Sequence, residues 1–389
     1  MAIPAHGHVN PSLSLVAELV RRGHRVTYAI TDDFAELVRT AGADVVPYDS
    51  TVLALIGRAA SDVVDQQVID MEEMILGAHR MFYDEFVAVT PQIEAAYADD
   101  RPDMIVYDVA AWQGPLLAAK WGIPAIQLAP TFVPYEGMSE DYGVDSTADP
   151  SPGRVALTAE FDEFVASHGV RLTWDELLRE PKRSVVTIAK SWQFKGDTLP
   201  DSFTFVGPSV DTRDNGQWAA PDERPVLLIS LGSVFTHRLD FYRECVRAFA
   251  DLDWHVLLQV GKHVDPADLG EVPANFSVVQ WVPQVSVLAQ ARAFVTHAGM
   301  GSTMEGLYFG VPMVAVPQAF DQHLNGARLA ELGLGVHLPM AEVTAEALRA
   351  AVERVTSDPD IAAKIKSVRD EVRAAGGASA AADVVESYA

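Results

Sequence analysis

The chain has 389 residues, 49% of them hydrophobic, with 26 glycines, 23 prolines and one cysteine; it is too long for one ordinary core and too apolar for disorder, so two domains are expected. Lys and Arg number 29 against 54 Asp and Glu, a net charge of −25, and a field of that sign disfavours nucleic acid and anionic membrane as partners. No apolar run approaches the roughly 20 residues of a membrane span, no basic-then-apolar leader opens the chain, and the lone Cys245 reads as a buried thiol, so a cytoplasmic protein is expected.

The opening "MAIPAHGHVNPSL" places His6 and His8 about Gly7 in a loop ahead of a helix, which Asn10 can cap and whose first turn suits Pro11. "PSLSLVAELVRRG" has helical apolar spacing and closes on Arg21, Arg22 and Gly23, a cationic last turn with a C′ glycine. The strand "HRVTYAI", helix "DDFAELVRTAG", strand "ADVVPYD", a long helical region over roughly 70–98, strand "DMIVYD", helix "WQGPLLAAKWG" and strand "IPAIQLA" follow. Such alternation predicts a doubly wound parallel sheet. Residues 131–180 interrupt it: "TFVPYEGMSEDYGVDSTADPSPG" has no periodicity and reads as a binding loop, lid or disordered segment, before "RVALTAEFDEFVASHG" and "TWDELLRE" return to helix.

After "RSVVTIAKSW" and "FTFVGP", the polar, turn-rich "SVDTRDNGQWAAPDERP" marks a boundary, and the pattern restarts with "PVLLISLGS", "DFYRECVRAFADL", "WHVLLQVG", "FSVVQWVP", "QVSVLAQA", "AFVTHAGMGSTMEGLYFG" and "PMVAVPQAFDQ". The chain then finishes in helices, the last being "AAADVVESYA". The expected organisation is a first domain over 1–207, a linker over 208–224, a second domain over 225–370, and a C-terminal helix over 371–389 packing back toward the first. Two such halves imply a cleft, with ligands beyond the carboxyl ends of the strands.

An anionic ligand would have to overcome the global field, and the N-terminus of a helix is the natural device. "THAGMGSTMEG" supplies one: a strand ends, Gly299 and Gly301 let the backbone approach closely, and a helix starts near Ser302. The spacing is not G-x-G-x-x-G and there is no P-loop lysine, so dinucleotide and ATPase readings lose ground. Ser302 and Glu305 also fit an ordinary capping box, and His297 fits a core histidine. Gly232 and Ser233 in "SLGS" form a second strand-end turn. Asp321 and Gln322 pair a carboxylate with a carboxamide, fit for vicinal hydroxyls or simply for a turn with a helix cap. Trp281 is either core or a platform for a flat base. Taken together, these strand ends describe a nucleotide-sugar site.

In the first half, Asp108 ends the strand "DMIVYD" on the sheet edge that carries the His6–His8 loop. A carboxylate fixes the tautomer of a neighbouring imidazole and makes it a general base; His8 is the better candidate for that partner. Alternatively, Asp108 caps the helix near Trp112. The H-x-H pair lacks the further ligands of a zinc site, and Asp251 and Asp253 read as a solvated turn, so no metal is expected.

"HGHVNPSL…ELVRRGHRVTYAI", "YADDRPDMIVYD", "SLGSVFT", "WVPQ…VLAQA", "FVTHAGMGSTMEGL" and "PMVAVPQAFDQ" resemble family 1 UDP-glycosyltransferases, most closely the bacterial macrolide, oleandomycin-type branch. The resemblance implies a GT-B fold, an α/β architecture of two Rossmann-like domains facing an interdomain cleft. It implies inverting transfer of glucose from UDP-glucose, a co-substrate, to a hydroxyl of a bulky hydrophobic acceptor such as a macrolide, inactivating it, with no cofactor and no metal. His8 would be the base and Asp108 its partner. Trp281, with Val282 beside it, would stack on uracil near Gln284. His297 and the Gly299–Gly301–Ser302 turn would hold the diphosphate, Ser233 would lie near it, Glu305 would hold the ribose, and Asp321 with Gln322 the hexose. Phe132 and Tyr135 would line the acceptor site.

One departure stands out. The family has an apolar first strand before the H-G-H loop and only "MAIP" precedes it here, so either the start is truncated or that strand is abbreviated to a stub; a missing central strand would loosen His8. A dTDP-deoxysugar transferase, a nucleotide-sugar-binding protein with an inactive first domain, and a nucleotide-sugar epimerase are the alternatives. The oligomeric state is left open.

Overall fold

A computed structural model describes residues 1–53, 71–138, 149–178, 181–210, 217–319 and 321–388; most of the aperiodic stretch after Met138 (139–148) and part of the boundary segment (211–216) lie outside the described residues. The chain divides into two units, Met1–Ser209 with Gly376–Ala389, and Val210–Ala375. The first contains α1 (His6–Arg21), β1 (Thr27–Ile30), α2 (Ala35–Thr40), β2 (Asp44–Pro47), α3 (Met71–Ala96), β3 (Ile105–Asp108), α4 (Gln113–Trp121), β4 (Ala125–Ala129), α5 (Pro152–Ser167), α6 (Trp174–Leu178), β5 (Ser184–Val186) and β6 (Phe203–Phe205). The second contains β7 (Val226–Ser230), α7 (Leu239–Phe249), β8 (His255–Gln259), β9 (Phe276–Val279), α8 (Gln284–Leu288), β10 (Ala291–Thr296), α9 (Met300–Phe309), β11 (Met313–Ala315), α10 (Asp321–Glu331), β12 (Gly335–His337), α11 (Ala345–Ser357) and α12 (Pro359–Ala374), after which α13 (Gly377–Glu386) rejoins the first.

The second unit is a parallel sheet in the order β9-β8-β7-β10-β11-β12. Counted within the unit this is 3-2-1-4-5-6, the doubly wound arrangement whose ligands sit beyond the carboxyl ends of the strands. Every residue of β7 and β8 is buried, as parallel strands covered by helices on both faces require. One strand escapes the sequence pattern: "GVH" of β12 pairs parallel with β11, yet three residues are too few to show an alternation.

In the first unit β3-β4-β5-β6 form one parallel sheet and β1-β2 another. The "MAIP" segment is a short stub hydrogen-bonded beside β3 that forms no strand of either sheet. The Met1 amine donates to the Val106 carbonyl at 2.9 Å, the Asp108 amide donates to the Met1 carbonyl at 3.0 Å, and Ala2 and Ile3 are fully buried. Tyr48 Oη adds a bond to the Ala2 carbonyl at 3.1 Å. The stub therefore delivers the chain into α1 from a fixed point.

Helix α1 also starts earlier than its sequence suggests. Ala5, in extended conformation, is the N-cap, with no side-chain cap, and Asn10 and Pro11 lie inside the helix. Its first turn closes when the His8 and Val9 amides both donate to the Ala5 carbonyl at 2.9 Å; Pro11 then forgoes only the bond its missing N–H would have made one turn back. The other end is anchored by α13, whose Ala381, Ala382 and Val385 pack with Leu15 and Leu19. There, Arg22 donates to Asp383 at 2.6 Å and Glu386 at 2.7 Å.

Candidate functional site

The first turn of α1 carries His8. Its Nδ1 lies 2.8 Å from Asp108 Oδ1; the carboxylate is 1% exposed and the imidazole 26%. The same Oδ1 accepts from the Ala110 amide at 2.9 Å, which closes the turn after β3. Asp108 does not cap the next helix, since α4 has Trp112 as N-cap and no side-chain cap. A buried carboxylate is costly unless its hydrogen bonds are made, so the orientation of His8 and the shape of this turn sustain each other. With Nδ1–H donating to Asp108, the ring lone pair resides on Nε2. His6 goes elsewhere: its ring packs edge-on to Phe34, 5.0 Å between centroids. The two histidines thus do not converge, and no cluster of three or more His, Cys, Asp or Glu arranged for a metal occurs among the described residues. Ser12 fixes the helix from below, donating to the Val9 carbonyl at 2.7 Å and pairing with Tyr28 Oη of β1 at 2.8 Å.

Phe132 and Tyr135 sit together but are nearly buried, each 7% exposed. Phe132 lies parallel to Trp192 and against Phe194, and Tyr135 also meets Phe194. A second aromatic cluster follows directly from the Asp108 turn. Trp112 touches His79, Phe82 and Phe86 of α3 and Trp174 of α6. The helical spacing of positions 79, 82 and 86 in α3 is the signal that could have found it.

The second unit gathers most of the remaining candidates at strand ends. Helix α9 opens at Met300 with Gly299 as N-cap and no side-chain cap. Ser302 and Glu305 lie within the helix and therefore do not form a capping box. Instead, the Gln284 amide at the start of α8 donates to Ser302 Oγ at 3.0 Å and to Glu305 Oε2 at 2.7 Å. Trp281, following β9, is 62% exposed, which rules out the core reading, while its neighbour Val282 is buried at 4%. Asp321 and Gln322 begin α10. Gln322 Oε1 accepts from the Gln318 and Ala319 amides at 2.9 and 3.2 Å, so the carboxamide organises the approach to its own helix. Ser233 is exposed on the turn after β7.

His297 is wedged between two glycines. A Cβ on Gly299 would lie 2.4 Å from His297 Nε2, and one on Gly232, where φ is +81°, 2.6 Å from Cε1. Packing therefore explains Gly299. It does not explain Gly301, where a Cβ would meet nothing within 4 Å. Desolvation pushes the His297 pKa down to about 4, partly opposed by the main chain of Ser230. The ring is thus neutral near pH 7, a hydrogen-bonding group and not a countercharge, so positive potential at this turn comes from the N–H groups and dipole of α9.

Residues 243–387 match the family described as Erythromycin biosynthesis protein CIII-like, C-terminal domain. The chain is 40% identical to the oleandomycin glycosyltransferase of Streptomyces antibioticus, over 99% of its own length and 89% of the relative's. It is 38% identical to the NDP-glycosyltransferase YjiC of Bacillus licheniformis, over 99% and 96%. The chain is a family 1 GT-B glycosyltransferase. A crystal structure of the glycotransferase of kitacinnamycin superposes with a TM-score of 0.86 at 42% identity, covering 100% of this chain and 97% of that one.

Sequence reasoning about this glycosyltransferase missed two features of the second unit. Ala298, between His297 and Gly299, has φ +60°, a left-handed conformation that costs a Cβ-bearing residue about 1–2 kcal/mol. Nothing in an alanine signals it. Asn325, fully buried in α10, donates from Nδ2 to the Ala298 carbonyl at 2.9 Å. Its place in "FDQHLN" gives no hint of a contact 27 residues away.

Proposed function

We propose that this glycosyltransferase moves glucose from UDP-glucose to a hydroxyl of a macrolide-like acceptor, with inversion at the anomeric carbon. The observation that carries the mechanism is the 2.8 Å contact between His8 Nδ1 and the buried Asp108 carboxylate. Asp108 holds the Nδ1–H tautomer and stabilises the imidazolium; Nε2 accepts the acceptor's hydroxyl proton as the oxygen attacks. The new C–O bond forms opposite the diphosphate, the old anomeric C–O bond breaks, and its electron pair leaves with UDP. The N–H groups at the start of α9 and its dipole take up the charge that develops there, without a metal ion. Trp281 stacks on uracil, with Val282 shaping the strand end beneath it. Gln284 and Glu305, already bonded to each other, take the nucleoside and ribose. Ser302, Gly301, Ser233 and neutral His297 face the diphosphate, and Asp321 with Gln322 the hexose hydroxyls.

The acceptor class rests on the relatives, above all the one named an oleandomycin glycosyltransferase. Adding glucose would mask a hydroxyl that an antibiotic needs, so the biological role is self-protection in the cytoplasm. The test is turnover of UDP-glucose with a panel of macrolides by the unmodified chain and by His8→Ala. Turnover by His8→Ala equal to the parent's removes His8 from the mechanism. A second reading, a dTDP-deoxysugar donor, is favoured by the chain's 34% identity to the demethyllactenocin mycarosyltransferase of Streptomyces fradiae. Competition between UDP-glucose and dTDP-sugars for one acceptor separates the two.

A further inference from the structure

The turn that leads into α9 is held from both sides. The Ala298 amide donates to Thr296 Oγ1 at 3.2 Å, and the Ala298 carbonyl accepts from Asn325 Nδ2 at 2.9 Å. The second hydrogen of that same amide reaches Asp321 Oδ2 at 3.3 Å. Asn325 is 0% exposed, so its orientation is set by packing and by these two acceptors. Ala298 meanwhile keeps φ +60°, a strained state that persists only where surrounding structure imposes it. Glycine would adopt this conformation freely. An alanine here needs a partner that penalises release, and a buried carbonyl left unpaired is such a penalty.

We propose that Asn325 is a positioning residue. By holding the Ala298 carbonyl it locks the left-handed turn that aims the first N–H groups of α9, and by holding Asp321 it fixes the spacing between diphosphate and hexose. This rests on the assignment of the start of α9 to the diphosphate. It does not make Asn325 a ligand of the donor. Asn325 acts on donor binding alone, because its two partners are the turn and Asp321, both in the second unit.

The experiment measures UDP binding by titration calorimetry and steady-state kinetics for the full chain, Asn325→Leu, Ala298→Gly and the double variant. Leucine fills the same space without a donor. Asn325→Leu is expected to raise the UDP dissociation constant and the donor KM by about tenfold, the factor to which a strained left-handed alanine corresponds, with acceptor KM unchanged. Ala298→Gly should bind UDP like the parent. In the double variant, glycine makes the turn inexpensive to hold and restores most of the affinity, whereas a merely structural loss at Asn325 would not be rescued at position 298. Asn325→Asp, which keeps the shape but turns acceptor oxygens toward the Ala298 carbonyl, should weaken UDP in the same direction if the leucine variant does not fold. Parent-like UDP affinity in Asn325→Leu, or no rescue by Ala298→Gly, overturns the proposal. Failure of the parent itself to bind UDP or dTDP overturns the diphosphate assignment instead.

Discussion

Two helix N-termini carry the chemistry proposed for this glycosyltransferase, and they are built on opposite principles. At the start of α1 the working group is a side chain. His8 is oriented by a carboxylate from β3, and the carboxylate by the turn that follows it. At the start of α9 the proposed working groups are chiefly main-chain amides, on a turn that side chains shape: His297 between two glycines, Ala298 held by Asn325. Substitution at the α1 terminus should therefore remove a chemical function at one stroke. At the α9 terminus it should act by degrees, through backbone geometry, and on binding more than on rate.

The sharpest way to test that contrast is at the dyad. His8→Ala is expected to lower kcat by about 10²- to 10⁴-fold, the usual contribution of a general base, with little change in donor KM. Asp108→Asn should cost about 10²-fold, at the lower end of that range, because the imidazole stays but its preferred tautomer does not. Rate measurements at saturating UDP-glucose decide it; a loss expressed mainly in donor KM would dissolve the distinction between the α1 and α9 termini. Next in size is Trp281→Ala. The exposed ring offers one stacking face, worth about 1–3 kcal/mol per base, so UDP binding should weaken about tenfold or more while the melting temperature stays put.

The two glycines at the start of α9 make a finer test. Gly299→Ala forces a Cβ to 2.4 Å from His297 Nε2 and should weaken both folding and UDP binding. Gly301→Ala meets no protein atom within 4 Å, and in a helix alanine outranks glycine by about 0.5–1 kcal/mol. Gly301→Ala is thus expected to melt slightly higher than the parent yet bind UDP about threefold to tenfold less tightly, the worth of a disturbed hydrogen bond. Calorimetry and thermal melts on the same samples check both signs; parent-like UDP affinity in Gly301→Ala would leave no ligand to account for that glycine.

Alternation of strands and helices made the doubly wound plan legible, because parallel strands buried on both faces read as continuous apolar runs. The strand-end glycines were legible for a related reason: glycine is visible where a backbone must come close. What stayed hidden has physical causes. The start of α1 is set by the Ala5 carbonyl and by a stub hydrogen-bonded to β3, neither of which a capping pattern reports. The capping-box pattern at Ser302 and Glu305 was real as a pattern, but Gln284, 18 and 21 residues away, claims both side chains. The left-handed Ala298 carries no residue signature at all, since its conformation is imposed by Asn325 from another helix.

The last test concerns His297 and separates its role in folding from any role as a charge. An unfolded chain protonates this histidine near its ordinary value of about 6.5, whereas in the folded protein desolvation holds it at about 4. Between those values the unfolded state binds more protons. The stability contribution is therefore full above pH 6.5 and is lost as pH falls from there toward 4, with a slope of at most about 1.4 kcal/mol per pH unit. His297→Gln removes that titration. Denaturation midpoints at pH 7, 6 and 5 should consequently fall more steeply for the parent than for the variant, after the carboxylates common to both are subtracted. Affinity of the parent for UDP-glucose, whose diphosphate diester does not itself ionise in this range, should by contrast show no step near pH 6.5 that His297→Gln abolishes, because the ring is already neutral there. A step at that pH would mean that the imidazole binds diphosphate as a cation, and the α9 terminus would then depend on a charged side chain much as the α1 terminus depends on a basic one.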